Sequence, residues 1–295
     1  MPQNPSKMKS QKEIDALLHL IDDPDHDVYE TVSKKIASFG RPIIPILENY
    51  WQQIDDETAH QRIESIIHNL HFEELIAELL IWKSSPIDLM TGLCLIDKYN
   101  YPEFDKAATI SQFEKIRKNV WLELNNYLTP LEQINTINSI FFNYYKHRGV
   151  ELDHKKPNDF LLHKSLESKK GNAIINGAIY VCLSQRLDIP VAALNIPNQF
   201  LLGYFEEPIE QTFDDEAEIK IKFFIDGLNG QIYSHKDVEN YFKRANISFL
   251  PSYFAPMSNK DMVCYILLEY SKCFDTTDEQ HRRNEILSLI NYLNQ

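Results

Sequence analysis

Along the first hundred residues the apolar positions recur at helical spacing. Ile14, Leu17, Leu18 and Ile21 form a stripe at i, i+3, i+4 and i+7 that stops at Asp22-Asp23-Pro24. A second stripe, Val28, Val32, Ile36 and Phe39, runs between a capping aspartate, Asp25, and a terminating glycine, Gly40. Pro42 and Pro45 open a third helix over residues 46–51. Further helices are predicted over 57–70, 72–82 and 87–98. Beyond Tyr101-Pro102-Glu103-Phe104, the spacing of Phe113, Ile116, Val120 and Leu124 predicts another, and residues 130–145 one more, ending at Gly149.

The period changes after residue 190. Residues 191–196, 199–205 and 219–225 read as strands, the last from the alternation Lys220-Ile221-Lys222-Phe223 of a half-exposed antiparallel strand. Asn229-Gly230 makes a tight turn into Ile232-Tyr233. Residues 206–218 form an acidic excursion, read as a solvated hairpin loop. Its Asp214, Asp215 and Glu216 are consecutive and lack the spaced oxygen ligands of a calcium loop, so no metal site is expected there. From Pro251 the pattern is helical again. Met262, Ile266, Leu267 and Tyr270 supply one apolar face and Ile286, Leu289, Ile290 and Leu293 another, joined around residues 275–278. The expected fold is α+β and predominantly helical: a helical front (1–98), a core with a small antiparallel sheet (99–250) and a helical tail (251–295).

Of 295 residues, 43% are hydrophobic and 12% aromatic, ample for a packed core. A formal net charge of −13 argues against nucleic acid, because phosphate binding draws on concentrated lysine and arginine. It equally disfavours anionic membrane surfaces. The four cysteines show neither a CxxC pair nor a cysteine–histidine zinc spacing, which points to a reducing compartment and no metal or cofactor. Met1 to Lys7 lacks the apolar segment of a signal peptide, and no apolar run is long enough to span a bilayer. A cytoplasmic, soluble protein is expected, with another protein as its partner.

The candidate chemistry lies between residues 170 and 230. The chain reads Gly171-Asn-Ala-Ile-Ile-Asn-Gly-Ala-Ile-Tyr180, then Leu187-Asp-Ile-Pro190, Ile196-Pro-Asn-Gln-Phe-Leu201 and Phe223-Phe-Ile-Asp-Gly-Leu-Asn-Gly230. A glycine-started helix, a tight turn into strands and an acid on a later strand resemble the transglutaminase-like superfamily. In that family a cysteine at the helix start, a histidine on the next strand and an aspartate on the following one form a nucleophilic triad. The matching positions here are Ala173, Gln199 and Asp226. Ala173 has no nucleophilic atom, and Gln199 cannot take up a proton near neutral pH. Asp226 has no imidazole to orient, although its carboxylate is placed to accept from the Gln199 amide. The resemblance also implies that Pro157-Asn158-Asp159-Phe160 matches a motif introducing the helix before the triad; read by itself, Asn158 is a helix N-cap.

The three-part layout resembles one bacterial branch of that family, the SirB-type proteins. Members commonly carry proline where the cysteine stood and keep a Gly-His-Phe motif, where this chain has Asn198-Gln199-Phe200. The front resembles a HEAT-type helical repeat, and the tail resembles a tetratricopeptide-type hairpin. The expected function is a non-catalytic, protein-binding or scaffold module. Its old groove would present Asn172, Asn176, Gln199 and Asp226, with Tyr180, Phe200 or Tyr204 placed to fill it; a small-molecule ligand there is the weaker alternative. A competing expectation is a hydrolase with a migrated nucleophile, Cys182 or a serine, served by His163 or His235. Cys182 lies nine residues after Ala173, roughly 180° around the helix, which favours a core role for it.

Overall fold

The computed structural model describes residues 5–84, 88–207 and 220–295. Its contacts fall into two units, 1–77 and 78–295.

In the first unit, α1 (Pro5–Leu18), α2 (His26–Ala37) and α3 (Ile44–Trp51) pack with the early turns of α4 (Glu57–Ser84). The predicted stripes supply the core: Ile14, Leu18, Ile21, Val32, Ile36, Leu47, Ile63 and Ile66 are buried together. Asp25 caps α2, its carboxylate accepting from the Asp27 N–H at 2.9 Å. Arg62 reaches from α4 to the carbonyls of Ile21 and Asp23, both at 2.7 Å, and lies over the Tyr29 ring. It satisfies carbonyls that the chain beyond α1 leaves without helical partners.

Residues 57–70 and 72–82 are one helix, not two. No glycine or proline stands between Leu70 and Phe72, and Leu70, Leu75, Leu79 and Trp82 continue a buried side. A continuous apolar stripe without a breaker propagates rather than restarts.

In the second unit, α5 (Leu89–Asn100) and α9 (Ala173–Gln185) are buried on nearly every side. A helix apolar all round has no face to give to water. Around them lie α6 (Lys106–Glu123), α7 (Pro130–Asn138) and α8 (Leu162–Ser168), with α10 (His235–Ala245), α11 (Asn259–Ser271) and α12 (Gln280–Asn294). A Thr129–Glu132 capping box starts α7. Its expected continuation to Tyr145 instead widens into a π-helix over Ser139–Tyr144. A two-residue parallel pair, β1 (Arg148–Gly149) and β2 (Lys170–Gly171), ties the chain before α8 to the start of α9.

Four antiparallel strands follow in spatial order: β3 (Val191–Ile196), β4 (Gln199–Phe205), β5 (Ile221–Asp226) and β6 (Ile232–Tyr233). The third was expected from residue 219, which lies outside the described residues, as do residues 208–218 of the acidic excursion with Asp214, Asp215 and Glu216. Register divides the sheet into two faces. On one, Leu194, Ile196, Leu201, Phe205 and Phe224 form a core with Val238 and Phe242 of α10. That helix was not foreseen; the Ser234-x-x-Asp237 capping box was its available signal. On the other face, Phe200 and Leu202 pack on α9 at Gly177, where a Cβ would stand 2.4 Å from the Phe200 ring.

Gly227, just past β5, presses its Cα on the first turn of α9; a Cβ there would lie 2.4 Å from the Ala173 carbonyl oxygen and 3.3 Å from the Gly177 nitrogen. Both are backbone atoms, so neither can swing aside. Gly227→Ala is expected to destabilise the fold by about 1–3 kcal/mol, the usual cost of overpacking. The measurement is the urea midpoint followed by circular dichroism, and an unshifted midpoint would contradict this packing.

Candidate functional site

The start of α9 is built from three small side chains. Asn172 is the N-cap, fully buried, its Oδ1 accepting from the N–H groups of Ile174 and Ile175 at 3.0 Å each. Its Nδ2 has no partner among the described residues. Ala173 follows as the first helical residue, half-buried, offering a methyl group. Asn176, one turn on, is also fully buried. Its Nδ2 donates to the Gly171 carbonyl at 3.0 Å, and its Oδ1 meets His147 Nε2 at 2.9 Å. Asn172, Ala173 and Asn176 thus stand together at the start of α9.

Gln199 and Asp226 do not join them. Gln199 pairs with Ile196, and Asp226 with Leu201, whose side chains belong to the sheet face that α10 covers. Strand alternation therefore turns both residues away from α9. Gln199 is exposed at the start of β4. The expected Gln199 bond to Asp226 is replaced by two others: the carboxylate accepts from the Leu228 N–H at 2.8 Å and from the Tyr233 hydroxyl at 3.4 Å. It organises the turn after β5. Asn158 is not a helix N-cap. It lies inside a 3-10 turn, Pro157–Phe160, where its Oδ1 accepts from the Tyr101 hydroxyl at 3.0 Å. Of the three aromatics, Phe200 covers Gly177, while Tyr180 and Tyr204 bond Asn138 and Gln133 of α7.

A serine and a histidine do meet beside this helix. Ser165 Oγ lies 3.1 Å from His147 Nε2, with both residues buried and the imidazole stacked on Phe141. The tautomer follows from the network. Asn176 gives its Nδ2 hydrogens to a carbonyl, so its oxygen faces His147, and Nε2 must carry the proton. The Ser165 hydroxyl therefore meets a donor rather than a base. Burial pushes the His147 pKa down to about 4, against a raising contribution from the Asn176 bond, so the ring is neutral near pH 7.

A family model of the transglutaminase-like superfamily matches residues 107–267, from α6 into α11. The chain belongs to the transglutaminase-like superfamily. No curated protein matches it, and no solved structure does. In this transglutaminase-like chain burial raises the pKa of each of the four thiols. Burial pushes Cys182 well above the ordinary thiol range, Cys94 and Cys273 up to about 12, and Cys264 upward as well. Cys182 is fully enclosed, matching the core role its helical position suggested. Among the described residues no group of three or more histidine, cysteine, aspartate or glutamate side chains is placed to hold a metal ion, and no helix is long and apolar enough to cross a membrane.

His235 is exposed at the start of α10 with its ring edge against Phe224. His163 belongs to a different arrangement, centred on a carboxylate that sequence reasoning passed over. Asp97, fully buried on α5, accepts from the Leu162 N–H at 2.8 Å and the His163 N–H at 2.7 Å, and its Oδ2 lies 2.9 Å from His163 Nδ1. The last approach is too oblique for a well-formed hydrogen bond. Asp97 thus caps α8 from another helix. Burial raises its pKa, opposed mainly by its bonds from His163. The available signal was a lone acid in the apolar run Leu93-Cys-Leu-Ile-Asp97.

The depressed His147 pKa makes a pH prediction. Its folded value lies below its unfolded one, so the folded state resists protonation. The stability tied to the neutral ring is present above about pH 6.5 and is lost as pH falls toward 4. The loss reaches about 3 kcal/mol at 1.36 kcal/mol per unit. Urea midpoints at pH 7, 5.5 and 4.5 should fall more steeply for the wild type than for His147→Gln. Parallel profiles would remove this role for His147.

Proposed function

We propose that this transglutaminase-like protein is a non-catalytic module that binds another protein, as a SirB-type member with HEAT-like front helices and a tetratricopeptide-like tail, acting in the cytoplasm. One observation carries this reading. Where acyl transfer in the family needs a thiolate, α9 presents the Ala173 methyl between two carboxamides already engaged in holding the helix start. Acyl transfer also needs a base within about 3 Å of the nucleophile. Residue 199 stands on the far face of the sheet, so restoring an imidazole there does not bring it to α9.

The second reading is a hydrolase using Ser165, favoured by its contact with His147. It requires an exposed hydroxyl and an accepting nitrogen, whereas Ser165 is buried and faces the protonated Nε2. A fluorophosphonate probe is expected to leave Ser165 unlabelled in the native protein; labelling there would establish this second reading instead.

Reintroduced chemistry tests the first. Ala173→Cys places a thiol at the half-buried helix start, and its alkylation rate against pH gives the thiol pKa. Adding Gln199→His should leave that profile within twofold at every pH. A fall of one unit or more in the double variant would show an imidazole reaching the thiol, and the reading of dismantled geometry would fail.

A further inference from the structure

A cavity of about 710 Å³ opens away from the start of α9, between the outer edge of β3, the segment before α11, and the α11–α12 pair. Its size falls within the usual range of binding clefts. Its lining among the described residues combines three carboxamides, Asn195, Asn291 and Asn294, with one carboxylate, Asp261, the half-buried Tyr265 and the exposed Leu268. We infer that this groove binds an extended peptide segment carrying a basic side chain, a proposal that rests on the protein-binding reading above and gives it a site.

Three observations support that occupant. First, β3 is an edge strand, and its edge already accepts a backbone partner: Leu194 bridges Pro256, and the Met257 N–H donates to the Ala193 carbonyl at 2.9 Å. Alternation then turns the Asn195 carbonyl to the same outer side, into the groove, where no donor meets it among the described residues. Extended segments add to such edges through main-chain bonds, with neighbouring pockets reading alternate side chains. Second, a carboxamide donates and accepts at once, as a peptide group does, so three of them suit a backbone. Third, Asp261 is the one charged residue in the lining among the described residues. Its Oδ2 accepts from the Ser258 N–H and hydroxyl in the α11 capping box, which leaves Oδ1 for a cation. Tyr265 adds a rigid aromatic wall, its ring stacked 5.5 Å from that of Phe200.

The test uses the full-length chain and fluorescein-labelled peptides of sequence Thr-Val-Lys-Val-Thr, read by fluorescence anisotropy. Two companions replace lysine by glutamate or N-methylate both valine amides. The lysine peptide is expected to bind at least tenfold more tightly than either. Its affinity should fall at least fivefold for Asn291→Ala/Asn294→Ala and for Leu268→Lys, both at helix surfaces, the second by placing a like charge beside the peptide lysine. Raising salt from 50 to 500 mM should weaken it severalfold. Absence of binding up to 1 mM, or equal binding of the N-methylated peptide, overturns the inference. Either failure concerns this groove alone, because the non-catalytic reading stands or falls on the Ala173→Cys profiles and the fluorophosphonate experiment.

Discussion

A helix that is apolar on every side must be enclosed on every side, and the second unit is arranged around that requirement. α9 carries isoleucine, alanine, tyrosine, valine, cysteine and leucine around its whole circumference. Sheet, helices and loops therefore close over it. Two glycines set the depth of that closure, Gly177 under the Phe200 ring and Gly227 against the Ala173 carbonyl. Enclosure fixes the chemistry as well. The helix start is held from within by Asn172, Asn176 and His147 in a neutral form that needs no charge solvation, with the Asn172 Nδ2 left without a partner among the described residues.

The same constraint separates α9 from the residues that the family triad would pair with it. Side chains on a strand alternate between faces, so one step in register decides whether a residue meets α9 or α10. Gln199 and Asp226 share the α10 side, and Asp226 serves the turn after β5. Asp97 and His163, buried together away from α9's start, act on structure: a carboxylate on α5 closes the start of α8, which has no capping side chain of its own. A carboxylate thus holds one helix start here, and the helix start that the family uses for chemistry is held by amides.

Hydrogen-bonding capacity is left unspent at one sheet edge among the described residues. The edge of β3 is half covered by the chain's own segment before α11, and the remainder opens beside carboxamides of β3 and α12.

Periodicity alone determined the helical character of the chain, the strands at 191–196 and 199–205, and the faces of α11 and α12, because each depends on local spacing of apolar residues. That residue 173 offers no nucleophile was equally legible: alanine has no reactive atom in any fold. What tertiary structure decided were relations between distant segments. Residues 57–84 became one helix because a single buried stripe runs through them; α10 formed as the cover of a sheet face. Asn158, a plausible cap by its neighbours, gave way to Asp97, which comes from sixty-five residues upstream of the Leu162 N–H it accepts. The pairing of His147 with Asn176, and the turning of Gln199 from α9, rest on register and packing. No local pattern encodes those, since they depend on which surfaces a buried helix forces together.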